Sequence, residues 1–276
     1  MTGEQWVRLK RLLPPFPKMG RPRRDRRQVF DGIWWRARTG SPWRDIPERY
    51  GPWETAYTLF RRWQIDGPWA RGLKKLQVKA DAAGHIEWKV SVDSTISRAH
   101  QHAAGLVKRG CQPRPDDHAL GRSRGGLTTK IHLAVDASSH ALATVVTAGQ
   151  RADAPVFAEV MARIRVPRIG GGYPRTPPAH VLADRAYSSR EIRESLRRRQ
   201  APHAIPEKCD QVGHRRRRGS AGGRPPGFGR EKYKARHKVE CRIGLLKQAR
   251  GVATRYEKLA VRFEATIQLA LIRQVL

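Results

Sequence analysis

Tyr233, Arg236, Glu240 and Lys247 have the types and spacing that phosphodiester chemistry needs. They lie in a stretch that reads as one long helix from about residue 230 to about residue 250, closed by Gly251. At about 100° per residue, with Tyr233 at zero, Arg236 falls at about −60°, Glu240 at about −20° and Lys247 at about −40°. All four project from one face, within a sector of roughly 60°. Val239, Ile243 and Leu246 cluster on the adjoining face, at about 220° to 280°, and would dock on a sheet. The pattern alone also suits a solvated face carrying an Arg236–Glu240 ion pair of the i,i+4 type.

Asp93 and Asp184 change the balance. Each is expected to end a strand and to be followed by a short polar segment. Carboxylates at the carboxyl ends of adjacent strands converge in mixed α/β sheets. Glu240, brought in by a helix, would make three. Three like charges within a few Å oppose ionisation unless a cation sits among them. Mg²⁺ suits such a site, being hard, oxygen-seeking and content with carboxylates, water and phosphate oxygens. Two such ions about 4 Å apart activate an attacking hydroxyl and stabilise the leaving oxygen of a phosphodiester. Mn²⁺ is the natural substitute. Lys247 and Arg236 beside them would hold phosphates.

Other candidates are weaker. Asp136 sits in a tight turn, and Asp116-Asp117 reads as a solvated pair in a polar loop. The spacing of His100, His102 and His132 fits no zinc pattern. Gly121-Arg-Ser-Arg-Gly-Gly126 superficially suggests a phosphate loop but lacks the Lys-Ser/Thr ending. Only phosphate contact from Arg122 and Arg124 is expected there, with Lys130 on the strand beyond. Cys111, Cys209 and Cys241 form no CxxC pair, which argues against a zinc finger or a disulfide framework and for a reducing cytoplasm.

The elements that must position these groups fall into two textures. Residues 1–80 read as a helical, helix-turn-helix-like domain. A helix is expected over 27–38, stopped by Gly40, with Ser41-Pro42 as an N-cap and first helical proline. Trp53, Tyr57, Phe60 and Trp63 recur at helical spacing until Gly67-Pro68 breaks the pattern. Basic connectors at 21–27 and 61–62 suit DNA reading, and a plain helical bundle suits the same aromatics. Residues 85–276 read as the second, catalytic domain. Strands are expected at 88–93, 127–135, 141–147, 180–184 and 201–205, with 136–140 closing a hairpin. Helices are expected at 152–164 and from a capping box at 188–191 to about residue 199. The stretch 170–178 is a Gly/Pro-rich loop. The stretch 212–230, with Arg215, Arg216, Arg217 and Arg218 in succession, reads as a basic flexible loop that DNA would order. A final helix runs from about residue 261 to the end. This order gives an α/β fold with a mixed sheet and flanking helices.

Composition narrows the partner. The chain has 276 residues, 39% hydrophobic with eight Trp, and a net charge of +32. That surface repels itself unless a polyanion neutralises it, and nucleic acid is the first choice. No signal-peptide core and no transmembrane run are visible, and no amphipathic basic helix with a wide apolar face favours a membrane surface.

At this point the sequence resembles the DDE transposases of bacterial insertion sequences, of the insertion-sequence-five type within the insertion-sequence-four group. DGIWWRARTGSPWRDIPERYGPW resembles that family's helical N-terminal domain. VDSTISRAHQHAAG and GRSRGGLTTKIHLAVD resemble its first-Asp segment and the segment after it, and VLADRAYSS its second-Asp segment. YKARHKVECRIGLLKQARGVATRYEKLA resembles its Glu helix, with the family's signature of Tyr, Arg, Glu and Lys at 233, 236, 240 and 247. Cys241 departs from the family's usual Arg, with Arg242 directly after it. The resemblance implies a ribonuclease H-like catalytic fold, two Mg²⁺ ions on Asp93, Asp184 and Glu240, and DNA contacts from Lys247, Arg236 and Tyr233. It further implies double-stranded DNA partners, namely terminal inverted repeats and target DNA, and a homodimer on paired ends in a bacterial cytoplasm at the nucleoid. The expected function is cleavage at the ends of an insertion sequence and joining of the 3′-OH to target DNA. The residues leave two other readings open: a DNA-binding protein without catalysis, such as a repressor or decayed transposase, and a ribonuclease H-like nuclease.

Overall fold

The computed structural model describes residues 1–15, 24–104 and 118–276. Cys111, Asp116, Asp117 and the start of the basic connector at 21–27 lie outside the described residues.

The N-terminal part is helical because its punctuation and its apolar spacing agree. Helix α1 (Gly3–Lys10) opens on a capping box between Thr2 and Gln5. Helix α2 (Arg26–Thr39) is capped by Asp25 and ended by Gly40 at φ 71, a left-handed conformation suited to glycine. Helix α3 (Trp53–Ile65) carries the aromatic stripe. Helix α4 (Pro68–Ala82) starts with its proline in the first turn, after Gly67 at φ 79. One expectation is corrected here. Ser41 caps nothing; Pro42 occupies the cap position of a single 3₁₀ turn, Trp43–Asp45, which has no side-chain cap. Phe30, Ile33, Phe60, Trp63 and Trp69 pack into one core with Leu269 and Ile272 from the far end of the chain.

The rest of the chain is built on a mixed sheet. Strand β1 (Lys89–Ala99) pairs antiparallel with β3 (Gly126–Val135), which pairs antiparallel with β4 (Ala141–Ala148). On its other edge β1 pairs parallel with β5 (His180–Ala183), and β5 with β6 (His203–Ala204). The order β4-β3-β1-β5-β6 gives three antiparallel strands followed by two parallel ones, the ribonuclease H-like mixed sheet. Short β2 (Gly121–Ser123) extends β3, and β7 (Thr254–Arg255) extends β1. Strand β1 does not end at Asp93 as expected. It runs six residues further, because β3 is long enough to pair with it as far as Thr128.

Helices cover both faces. Helix α5 (Gln101–Ala104) follows β1 directly. Helices α6 (Asp153–Arg163) and α7 (Arg190–Arg198) help enclose a core with Val90, Val92, Val145 and Val181. The cap of α7 is Ser189, whose hydroxyl accepts from the Ile192 amide. The expected box between Ser188 and Glu191 therefore does not form, and Ser188 is buried against Gln211 and Arg193. The opposite face holds Ile131, Leu133 and Val135 against Val239, Leu246, Phe263 and Ile267.

The C-terminal helices also differ from expectation. Part of the expected loop at 212–230 is helical: α8 runs over Cys209–Arg217 and a 3₁₀ turn follows at Gly219–Gly222. Arginine is a good helix former, and the Gly/Pro run begins only after it. The single expected helix over 230–250 is three: α9 (Arg230–Lys234), α10 (His237–Lys247) and α11 (Arg250–Ala253). Gly251 lies inside α11 rather than closing a helix. A Cβ there would meet the Ala37 carbonyl oxygen at 2.8 Å, so glycine lets α11 press onto α2. Helix α12 (Ala260–Val275) faces both ways, with Leu269 and Ile272 in the helical core and Phe263, Ile267 and Leu271 under the sheet.

Candidate active site

Alternation along the strands decides which side chains meet. Val90 and Val92 point to the face covered by α6 and α7. Asp93 therefore points to the opposite face, in register with Leu133 beneath α10. On β5, Val181 and Ala183 share the face of Val90 and Val92. Asp184, the next residue, turns to the same face as Asp93. The last parallel pair is Val92 with Ala183, so the two aspartates follow it directly, Asp93 within β1 and Asp184 one residue past the end of β5; neighbouring strands lie roughly 4.8 Å apart.

Each carboxylate is held by its own backbone. The Ser94 amide donates to Asp93 Oδ1 at 2.8 Å, and the Ala186 amide donates to Asp184 Oδ1 at 2.8 Å. Burial pushes the Asp93 carboxyl above its ordinary range, and the nearby Asp184 charge adds to that. The Ser94 amide and Arg236 pull the other way.

Arg236 joins α10 to this pair. It sits in the 3₁₀ turn between α9 and α10, where helical backbone angles preserve the phase of the face. Its guanidinium donates to Asp93 Oδ2 at 2.8 Å and also to Glu240 Oε1. The Tyr233 ring lies 5.8 Å from the same guanidinium and packs against Phe228. Lys247 donates to the carbonyl of Ile96, which follows Asp93 on the same strand, at 3.0 Å, and burial lowers its pKa. Val239 and Leu246 are wholly buried beneath the helix, which fixes the face that carries Glu240.

The three carboxylates are thus brought to one neighbourhood but do not enclose a common point. Asp93 and Asp184 adjoin. Glu240 is half exposed and stands one guanidinium away from Asp93. Among the described residues no three carboxylate, imidazole or thiolate groups stand close enough to hold a metal ion. The expected three-carboxylate cluster is corrected to a pair plus a third group across Arg236. The donor set still suits a hard divalent cation, since every candidate ligand is a carboxylate oxygen. Arg236 already answers the need for positive charge between two of them.

The sequence missed a fourth carboxylate. Asp153, the first residue of α6, accepts from the Ser94 hydroxyl at 2.8 Å and pairs with Lys130 at 3.0 Å. Burial, then the charges of Asp153, Asp93 and Asp184, hold the Tyr187 phenol protonated. The charges of three aspartates therefore reach Tyr187. The signal available in the sequence was the position of Asp153 at the start of an apolar helix, five residues after the end of β4.

The basic candidates divide. Arg122 and Arg124 are exposed on the β2–β3 hairpin. Arg216, Arg217 and Arg218 are exposed at the end of α8. Lys130 is not available to DNA as expected, because Asp153 and the Arg151 carbonyl hold its ammonium. Arg215 is likewise paired, with Glu207 at 2.8 Å. His132 is buried against Thr147, while His100 and His102 stack on each other beside Tyr256. Asp136 is a buried turn acceptor for the Glu87 and His140 amides. Cys209 and Cys241 are free and exposed. Among the described residues no helix is long and apolar enough to cross a membrane.

Comparison with known proteins places the sequence in a family. Residues 84–274 match the family described as "Transposase DDE domain", and residues 1–73 match a transposase family of IS4/5 type. The chain is 40% identical over 117 residues to "Uncharacterized protein y4sN" of Sinorhizobium fredii, covering 41% of this chain and 90% of that protein. It is 35% identical over 111 residues to the "Insertion element IS402 uncharacterized 16.2 kDa protein" of Burkholderia cepacia, covering 36% and 73%. It is 29% identical over 144 residues to a Brucella ovis protein named as a transposase for insertion sequence element IS6501, covering 52% and 95%.

Proposed function

This chain belongs to the transposase DDE domain family and is a DNA transposase of the insertion-sequence type, and we propose that it cuts DNA at the ends of its element and joins the freed 3′-OH to target DNA through Asp93, Asp184 and Glu240. One observation supports the assignment above all: Asp93 and Asp184 each directly follow the last parallel pair of β1 and β5, Val92 with Ala183, and Glu240 is linked to Asp93 through Arg236.

In this reading Asp93, Asp184 and Glu240 hold divalent ions, Mg²⁺ or its substitute Mn²⁺. Such ions, when bound, activate the attacking oxygen and stabilise the leaving one. Glu240 is free to join the pair because its contact with Arg236 is solvent-facing, and exposed ion pairs are worth only about 0–1 kcal/mol. Arg236, once released, presents two donors to a phosphate in a geometry that suits it. Lys247 and Tyr233 lie on the same face and position the strand. The N-terminal helices, 1–80, bind the terminal inverted repeats, and residues 85–276 form the catalytic unit. Arg122, Arg124 and Arg216–Arg218 contact the DNA backbone. The active assembly is a dimer on paired ends, in the cytoplasm at the nucleoid.

The test is cleavage of a labelled element end in Mg²⁺. Asp93→Asn, Asp184→Asn and Glu240→Gln should each abolish nicking and leave end binding within a few-fold of wild type. Undiminished nicking by any of the three overturns its assignment. Binding without nicking by the wild-type chain would instead identify a DNA-binding protein without catalysis.

A further inference from the structure

A second basic surface lies away from the carboxylates. Helices α2, α10, α11 and α12 enclose an open cleft of about 660 Å³. Arg38 reaches it from the last turn of α2, Arg250 from the start of α11 and Arg273 from the last turn of α12. No carboxylate lines it, and none of the three arginines has an ion-pair partner among the described residues. Arg273 lies over the Trp34 ring at 5.7 Å, and its Nε is buried with no hydrogen-bond partner. Gln248 and Gln274 add neutral donors.

Arginines in the last turn of a helix are favourable by themselves. That accounts for Arg38 or Arg273 singly. It does not account for three guanidiniums from three elements converging on one open space without a counter-charge.

The cleft is also connected to the carboxylates. Gln248 follows Glu240 by eight residues, roughly 12 Å along a helix axis, and that length matches three to four base pairs of duplex at about 3.4 Å each. Between them the outer face of α10 is open. A Cβ on Gly244 would touch nothing within 4 Å, and Leu245 is 44% exposed. We propose that this cleft seats the phosphate backbone of the DNA duplex, three to four base pairs from the carboxylates, with Arg38, Arg250 and Arg273 as its phosphate contacts. The spacing rests on the reading of Asp93, Asp184 and Glu240 as the cleavage site; the phosphate contacts do not.

The experiment measures binding alone, with the full chain, a fluorescent random-sequence duplex and a chelator in place of divalent ions, across a range of KCl. Arg38→Gln/Arg250→Gln removes two exposed guanidiniums and leaves the Arg273–Trp34 stack intact. Arg168→Gln/Arg199→Gln removes the same charge from two other exposed positions. Removing one arginine–phosphate pair should flatten the slope of log affinity against log salt by about 0.9. The cleft variant should therefore bind several-fold more weakly at moderate salt, with a slope shallower by about 2. The control variant should keep the wild-type slope. Equal slopes for the two variants overturn the proposal. Because no cleavage is scored, failure here is separate from failure of the catalytic assignment.

Discussion

At the scale of single residues, the site rests on alternation. Asp93 and Asp184 share a face because each follows a residue of the opposite core, Val92 and Ala183. The sequence suggested that the two aspartates would converge because each was expected to end a strand, but the apolar run Val181-Leu182-Ala183 carried no alternation from which to read the face of Asp184. The role of Arg236 was not. Helical phase placed it beside Glu240, but only the sheet brings Asp93 within reach of the same guanidinium. Asp153 was hidden for a similar reason: Ser94 and Lys130, which it binds, lie far away in the chain. His132 offers a test of this buried layer. Burial lowers its pKa to about 4, Lys130 and Arg151 work in the same direction, and Asp153 works against them. The folded state therefore prefers the neutral ring. Its contribution to stability is complete above pH 6.5 and is lost as pH falls through the interval down to about 4. A shift of that size is worth about 3 kcal/mol. Urea midpoints of wild type and His132→Gln should differ in a pH-dependent way, the wild type losing more below pH 6.5. A constant gap between them would contradict it.

At the scale of elements, helix α10 carries the chemistry on one face and its anchor on the next. Val239 and Leu246 at zero exposure pack it against Ile131, Leu133 and Val135 of β3, and each such burial stabilises by about 1.5–3 kcal/mol. The apolar stripe was visible as periodicity. The break at Arg236 and the separate turn of α11 were not, because Ala, Arg and Lys carry no stop signal. Gly251 looked like a helix end, and its cause is contact with α2, which only the tertiary structure supplies. Gly251→Ala should lower stability by about 1–3 kcal/mol through overpacking against Ala37. Thermal unfolding checks it, and an unchanged midpoint would mean that α11 can withdraw from α2 without loss. Strand β1 shows the limit of reading strands from their ends. Polar residues after Asp93 looked like a terminus, yet the long partner strand β3 keeps them paired.

At the scale of the molecule, the N-terminal helices and the sheet are joined at their backs. Helix α12 contributes to both cores, and Arg36 of α2 makes a buried ion pair with Glu257, which also accepts from Thr266. Texture alone divided the chain near residue 85; it held no sign that the last helix returns to the first. Arg36→Met would leave the Glu257 carboxylate buried without its cation, and breaking such a pair costs about 3–5 kcal/mol. Chemical denaturation should record that loss, and a near-neutral result would show that Glu257 finds another partner. The net charge of +32 is the other whole-molecule property. It spreads over several surfaces, among them the end of α8 with Arg216, Arg217 and Arg218 and the cleft between α2, α11 and α12 with Arg38, Arg250 and Arg273.

The central claim is that Asp93, Asp184 and Glu240 act on one divalent centre, although Arg236 now stands between two of them. Mn²⁺ titration of the DNA-bound chain, followed by electron paramagnetic resonance, addresses it directly. Asp93→Asn, Asp184→Asn and Glu240→Gln should each weaken Mn²⁺ binding at least tenfold, a lower bound set by what loss of a supporting partner alone does. Glu191→Gln, on the surface of α7, should bind as wild type does. Wild-type affinity in Glu240→Gln would contradict the account and leave Glu240 as a partner of Arg236 alone.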